Sequence, residues 1–239
     1  MKLLPPLLAL MSLFATNSSA GGINLTWGEG CWADNPATMQ TFACDNNSGS
    51  FSLTASFVPT SRQAISTLTA QLDLQSDSPL LPDWWQMCDP GACRAGALSA
   101  TAVFATGACS YAWTGLPPQA AVNWQTRQWC GDGSIPSNRA QLIGYFGGHS
   151  SVVLQPGTEY YAFRLTISTQ KSNGMDACGG CSVPATLVLN EIALYGTGLD
   201  QLTAPLSNTC LRWQAAGTTP CSATPVRRTT WGTIKSLYR

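Results

Sequence analysis

The chain predicts an all-β protein: a two-sheet sandwich, jelly-roll-like in first choice, with an immunoglobulin- or cohesin-like sandwich as the alternative. Three observations carry this. Short runs that alternate apolar and polar residues recur between clusters of Gly, Pro, Asn and Ser, the pattern of half-buried strands. No stretch keeps helical spacing for three turns. The composition is that of strands and turns, with only 10% charged residues, 22 Gly and 15 Pro.

Taken in order, residues 1–20 read as an export leader. Lys2 is the basic start, residues 3–14 the apolar stretch, and Ser18, Ser19 and Ala20 a small-residue exit. The mature chain is expected to begin near Gly21. Strands follow at 23–27, at 50–58 (Phe51, Leu53, Ala55 and Phe57 on one face), at 67–75 (Leu68, Ala70, Leu72, Leu74) and at 97–104. Four more are expected at 139–146, 151–154, 159–168 (Tyr161, Phe163, Leu165, Ile167) and 185–194. About eight strands with one apolar face each must bury those faces against a second layer, hence two packed sheets over 21–195.

Residues 75–95 and 107–137 remain as long connections rich in Pro, Gly, Trp and Cys, a length typical of functional or stapled loops. Residues 196–239 read as a C-terminal extension, packed on the sandwich through Trp213 and Trp231 or acting as a tail, with a short helical turn near 231–238.

Ten cysteines, Cys31, Cys44, Cys88, Cys93, Cys109, Cys130, Cys178, Cys181, Cys210 and Cys221, form an even set after an export leader and point to an oxidising compartment. Spacing suggests Cys31–Cys44, Cys178–Cys181 and Cys210–Cys221 as local pairs. The middle four stay open between Cys88–Cys93 with Cys109–Cys130 and Cys93–Cys109 with Cys88–Cys130. Cys178-Gly-Gly-Cys181 lacks the following helix of a redox motif and the second cysteine pair of a zinc site, so a structural disulfide is expected.

Composition excludes several classes. Net charge is zero, leaving no basic field for nucleic acid. No run after the leader reaches about 18 apolar residues, so no transmembrane segment is expected in the mature chain. The expected location is secreted or cell-surface.

The combination of Leu81-Pro-Asp-Trp-Trp85, Cys93-Arg94, Gly157-Thr-Glu-Tyr-Tyr-Ala-Phe163, Cys178-Gly-Gly-Cys181, Leu189-Asn-Glu-Ile192 and the ending Trp-Gly-Thr-Ile-Lys-Ser-Leu-Tyr-Arg239 resembles a family of secreted, disulfide-rich proteins from environmental bacteria that has no assigned activity. The resemblance implies bacterial export and a shared fold over nearly the whole mature chain. It carries over no catalytic residue.

Chemistry is sparse. The only histidine, His149, sits in Gly147-Gly148-His149-Ser150, read as a turn, and no Gly-x-Ser-x-Gly elbow accompanies it. Glycoside hydrolysis needs only two carboxyl groups, for which Glu159 or Glu191 opposite Asp73 or Asp83 are the candidates; a salt bridge from either glutamate to Arg94 or Arg164 is the plainer expectation. A structural Ca2+ is possible at Asp34, Asp45 and Asn47, hard oxygen donors around the expected Cys31–Cys44 staple. Asn24-Leu-Thr26 and Asn46-Asn-Ser48 are glycosylation patterns.

Nine tryptophans supply the leading functional expectation. Trp84, Trp85, Trp113, Trp124 and Trp129 concentrate in the two long connections, where flat rings can stack on sugars or fill a partner's pocket. Their alternative role is to cover the ends of the sandwich and pack on disulfides. The sequence therefore favours a non-catalytic binding module for carbohydrate or another surface component over a structural subunit of an extracellular assembly or a carboxylate-dependent hydrolase.

Overall fold

The computed structural model describes residues 22–104, 107–113, 118–131, 133–203, 208–215 and 217–221. The expected leader, the expected helical turn at 231–238 and Trp231 lie outside these residues. Twelve strands form two sheets, with no α-helix among the described residues.

The first sheet is ordered β1 (Gly22–Trp27), β3 (Ser50–Val58), β9 (Tyr160–Ser168), β5 (Leu98–Thr101), and the two-residue β6 (Ser110–Tyr111) pairs with β9. The second is ordered β2 (Met39–Gln40), β12 (Cys210–Trp213), β10 (Ala185–Gly196), β4 (Gln63–Ser76), β8 (Arg139–Leu154), β7 (Gln119–Thr126), with β11 (Leu199–Thr203) also on β10. The antiparallel pairs β7–β8, β5–β9 and β4–β10 nest inside one another in sequence. A folded-over antiparallel ribbon wrapped into two sheets is the jelly-roll arrangement.

The alternation read in the sequence decides the faces. Leu53, Ala55 and Phe57 of β3 and Leu68, Leu72 and Leu74 of β4 are fully buried between the sheets. Phe146 of β8 and Phe163 of β9 stack across the interior with ring centroids 4.8 Å apart. Each such leucine or phenylalanine side chain contributes about 1.5–3 kcal/mol by leaving water.

Three readings change. β8 is one strand of 16 residues rather than two short ones. Its Gly147-Gly148-His149-Ser150 stretch is an irregularity inside the strand, where the pairing jumps from Thr67↔Gly147 to Ile65↔Val152, so His149 is not on a turn. β7 lies within the expected 107–137 connection: Val122, Trp124 and Thr126 alternate inward with Asn123 and Gln125 outward. The segment after 195 supplies β11 and β12, both integral to the second sheet.

The disulfides also differ. They join Cys31–Cys109, Cys44–Cys181, Cys88–Cys130, Cys93–Cys178 and Cys210–Cys221. The short-range Cys31–Cys44 and Cys178–Cys181 pairings do not occur, and neither expected pairing of the middle four survives whole. A jelly roll brings loops distant in sequence to the same end of the sandwich, so proximity in sequence misleads. Cys178 and Cys181 flank a turn through Gly180 (φ +97°), where an added Cβ would lie 2.3 Å from Pro82 Cβ. That turn sends the two sulfurs to different loops, one carrying Cys93 and the other Cys44.

Candidate functional site

Two regions hold the groups that the sequence singles out. One is the loop-covered end of the sandwich. Trp84 and Trp85 sit on a 3-10 turn (Asp83–Trp85), not on extended chain, so both rings turn inward and pack edge to face at 4.8 Å. Trp213 of β12 lies 4.7 Å from Trp84 and 5.2 Å from Trp85, with Phe42 stacked on it at 4.2 Å. Trp84, Trp85 and Trp213 have no exposed surface; Trp113 and Trp124 are buried, and Trp129 is half-buried. The expected platform of loop tryptophans therefore does not form: four of the five rings offer no free face. The indole nitrogens of Trp124, Trp84 and Trp213 donate to Trp85 O (2.8 Å), Ser172 Oγ (2.9 Å) and Cys181 O (2.7 Å), while those of Trp85 and Trp113 are buried without a hydrogen-bond partner.

Arg94 closes this end. It is fully buried, its guanidinium 3.7 Å above the Trp84 ring. It donates to the carbonyls of Trp84 (2.8 Å), Gln170 (3.0 Å) and Ser168. Burial pushes its pKa down to about 10, so it stays charged at neutral pH. The expected salt bridge from Arg94 to Glu159 or Glu191 is replaced by these carbonyls; Arg164 instead pairs with Glu29 at 3.6 Å.

The carboxylates do not converge on a cleft. Glu159 accepts from Asn24 Nδ2 at 3.1 Å and from Ser56 Oγ, which buries Asn24 and removes it as a glycan acceptor. Asp73 accepts from Gln141 at 3.1 Å and Glu191 from Gln201 at 3.4 Å, in successive cross-strand rows on the open outer face of the second sheet. Asp83 is exposed on its 3-10 turn.

Nor do the calcium candidates share one staple. Asp34 lies by Cys31–Cys109, where its carboxylate accepts from Cys31 N (3.1 Å), Ala108 N (3.0 Å) and Tyr161 Oη (3.0 Å). The first of these bonds, with Ala108 and Tyr161 beside it, holds its pKa below the usual carboxylate value. Asn47 accepts from the backbone of Ser172 (2.8 Å) and Asn173 (3.0 Å), and Asp45 O takes the Asn173 amide. These residues fasten loops to one another. Cys31, Cys109 and Glu159 also cluster, but the two sulfurs are bonded to each other and are no thiolate ligands.

The second region is the outer face of the seven-stranded sheet, which the sequence reading did not single out. Register places Gln125, Gln141, Asp73 and Val188 in one cross-strand row, Asn123, Ile143, Gln71 and Glu191 in the next, and Ala121, Tyr145, Thr69 and Ala193 in the third. Tyr145 is 40% and Tyr195 38% exposed, with Leu199 beside Tyr195 on β11. Tyr145 lies down on the sheet. Its hydroxyl is 3.4 Å from Thr67 Oγ1, and a Cβ on Gly147 would be 3.5 Å from its Cε1, so the ring spans the Thr67–Gly147 pair. One ring face rests on the strands and the other faces outward.

At the opposite end of this face, Thr218 and Thr219 hydrogen-bond Asp77, Thr186 donates to Thr219 O, and the Cys210–Cys221 bond ties that segment to β12. Asp73, Gln75, Arg139, Thr186, Val188, Thr219 and Pro220 line a shallow depression there. The signal was present in sequence as amides at alternate positions, Gln71, Gln75, Asn123, Gln125 and Gln141.

No family model and no curated protein matches the chain. Among solved structures, one titled "AvmM Catalyzes Macrocyclization in Alchivemycin A Biosynthesis" is 8% identical over 87% of this chain and 94% of that one, with a TM-score of 0.36. A putative membrane-anchored protein from Corynebacterium diphtheriae is 9% identical over 87% of this chain, at a TM-score of 0.28; the chain spans 40% of its length.

Proposed function

We infer that this is a secreted or cell-surface binding module that takes a hydroxyl-rich ligand, a carbohydrate, on the outer face of its seven-stranded sheet. The observation that carries the reading is the posture of Tyr145: a ring laid flat over Gly147 and Thr67 with its free face outward. Packing of a ring over a strand glycine also stabilises a sheet. What favours a ligand is the company it keeps, since the rows on either side carry the amides of Asn123, Gln71 and Gln119 and the hydroxyl of Thr67, with Ile143 and Glu191 among them and no Lys. Amides and hydroxyls both donate and accept, which matches sugar hydroxyls, while the ring supplies the stacking surface.

A hydrolytic role is disfavoured by the carboxylates. Asp73 and Glu191 stand in successive cross-strand rows of one open sheet instead of on two walls around a scissile bond.

The test is retention of the oxidised mature chain on a panel of polysaccharides and a glycan array. Retention that Tyr145→Ala abolishes, with near-ultraviolet circular dichroism unchanged, supports the reading. Retention by no glycan overturns it and moves the protein to a structural role in an extracellular assembly.

A further inference from the structure

We propose that the ligand is an extended, uncharged polysaccharide chain lying along β8, gripped at one end by Tyr145 and at the other by the Gln141–Arg139 end of the strip; this rests on the binding reading above. Three features point to it.

The first is openness. The outer face is a broad surface of cross-strand rows, and the depression at its far end, lined by Asp73, Gln75, Arg139 and Thr186, is shallow. Compact ligands are held by enclosure, whereas an open face gains affinity only from many shallow contacts strung along a long ligand.

The second is direction. Along β8 the outward residues are Arg139, Gln141, Ile143 and Tyr145, in order. From first to last this is six residue steps, roughly 20 Å at strand rise. A single sugar ring on Tyr145 leaves the Gln141 amide untouched, and only a chain of several rings meets both. Gln141 keeps one amide hydrogen bond to Asp73, so its carbonyl faces a ligand with its direction already fixed. Gln71, one row nearer to Tyr145, has a buried amide nitrogen with no hydrogen-bond partner.

The third is charge. On this strip Arg139 and Arg212 are balanced by Asp73 and Glu191, and both acids already hold an amide. Without excess cations or acids, a polyanionic or polycationic chain has nothing to pair with, and an uncharged one has nothing to be repelled by.

The experiment is calorimetric titration of the oxidised mature chain with a length series of oligosaccharides from whichever neutral polysaccharide the panel retains, at low and high salt. The expected result is affinity that climbs from disaccharide to hexasaccharide and is insensitive to salt over the range that screens exposed charge. Tyr145→Ala is expected to lower hexasaccharide affinity by about tenfold or more and Gln141→Ala by a few-fold, each single contact of this kind being of the order of one decade. Equal affinity for the disaccharide and the hexasaccharide overturns the strip and leaves the binding reading standing. Binding confined to acidic chains and lost in salt overturns the uncharged class. A dimer that Tyr145→Ala converts to monomer gives the face to a second copy, and no binding to any glycan removes both readings together.

Discussion

The indole-lined end and the outer face of the seven-stranded sheet contain the same kinds of side chain, aromatic rings beside amides, and put them to opposite uses. At the end, Trp84, Trp85 and Trp213 are sealed under loops stapled by Cys44–Cys181 and Cys93–Cys178. On the face, Tyr145 and Tyr195 stay more than a third exposed. The difference teaches that aromatic content nominates regions, while the free ring face decides between them. Substitutions in the two regions should therefore separate cleanly, stability responding in one and binding in the other.

The largest expected effect is at Arg94. Truncation to Ala removes three donors from buried carbonyls and the plate that covers Trp84, and a loss of about 3–5 kcal/mol is expected in urea unfolding, on the scale of breaking a buried charged network. Arg94→Lys should recover little, since an ammonium cannot reproduce a planar fork stacked on an indole. Full stability in Arg94→Ala would mean that the end is not held in this way.

Next comes Trp213→Ala, which leaves a cavity among Trp84, Trp85 and Phe42 and is expected to cost about 3–5 kcal/mol. Removing Cys44–Cys181 by paired Cys→Ser substitution should cost about 2–5 kcal/mol. Peptide mapping of the oxidised chain checks the same hub directly: Cys178 and Cys181 must appear in two different cross-linked peptides, with Cys93 and Cys44. A fragment linking Cys178 to Cys181 would contradict the turn through Gly180.

Tyr145→Ala should lie at the other extreme for stability, within about 0.5 kcal/mol to 1 kcal/mol of the parent, because an exposed ring over a glycine contributes little burial. A loss as large as that of Trp213→Ala would turn Tyr145 into a packing residue and weaken the case for a ligand.

Much of the sandwich was legible. The period-2 pattern of residues 50–58 gave β3 to the residue, and the apolar positions of 67–75 face the core as read, as do Phe163, Leu165 and Ile167 of β9; Tyr161 does not, because an irregularity in the β3–β9 pairing before Phe163 turns it to the other face, against Cys31, Cys109 and Phe104. β7 had its own alternation, Ala120, Val122 and Trp124, obscured by reading the tryptophan as a loop residue. The disulfide map was not legible, because pairing depends on which loops a jelly roll gathers at one end. The site was illegible for a related reason. An outward Gln is an unremarkable solvent residue in one strand; it becomes part of a row only when register sets Gln125, Gln141 and Asp73 side by side.

The smallest effect probes the border of the face. Burial pushes the Asp77 carboxyl up, but hydrogen bonds from Thr219 and Thr218, side chain and backbone, outweigh it and hold the pKa below the usual value. A carboxylate with a depressed folded pKa contributes stability that is present above the unfolded value of about 3.9 and lost as pH falls through the folded one. Those bonds fasten the 217–221 segment beside Gln75 and Arg139, at the far end of the strip from Tyr145. Amide exchange at Thr218 and Thr219 should therefore quicken, relative to its intrinsic acid-range rate, as Asp77 protonates, with β3 and β9 unaffected. Asp77→Asn should show the faster exchange at neutral pH as well. Equal protection in the variant and the parent would show that the Cys210–Cys221 bond alone holds the segment, and would leave the outer face bounded by a covalent edge with no dependence on pH.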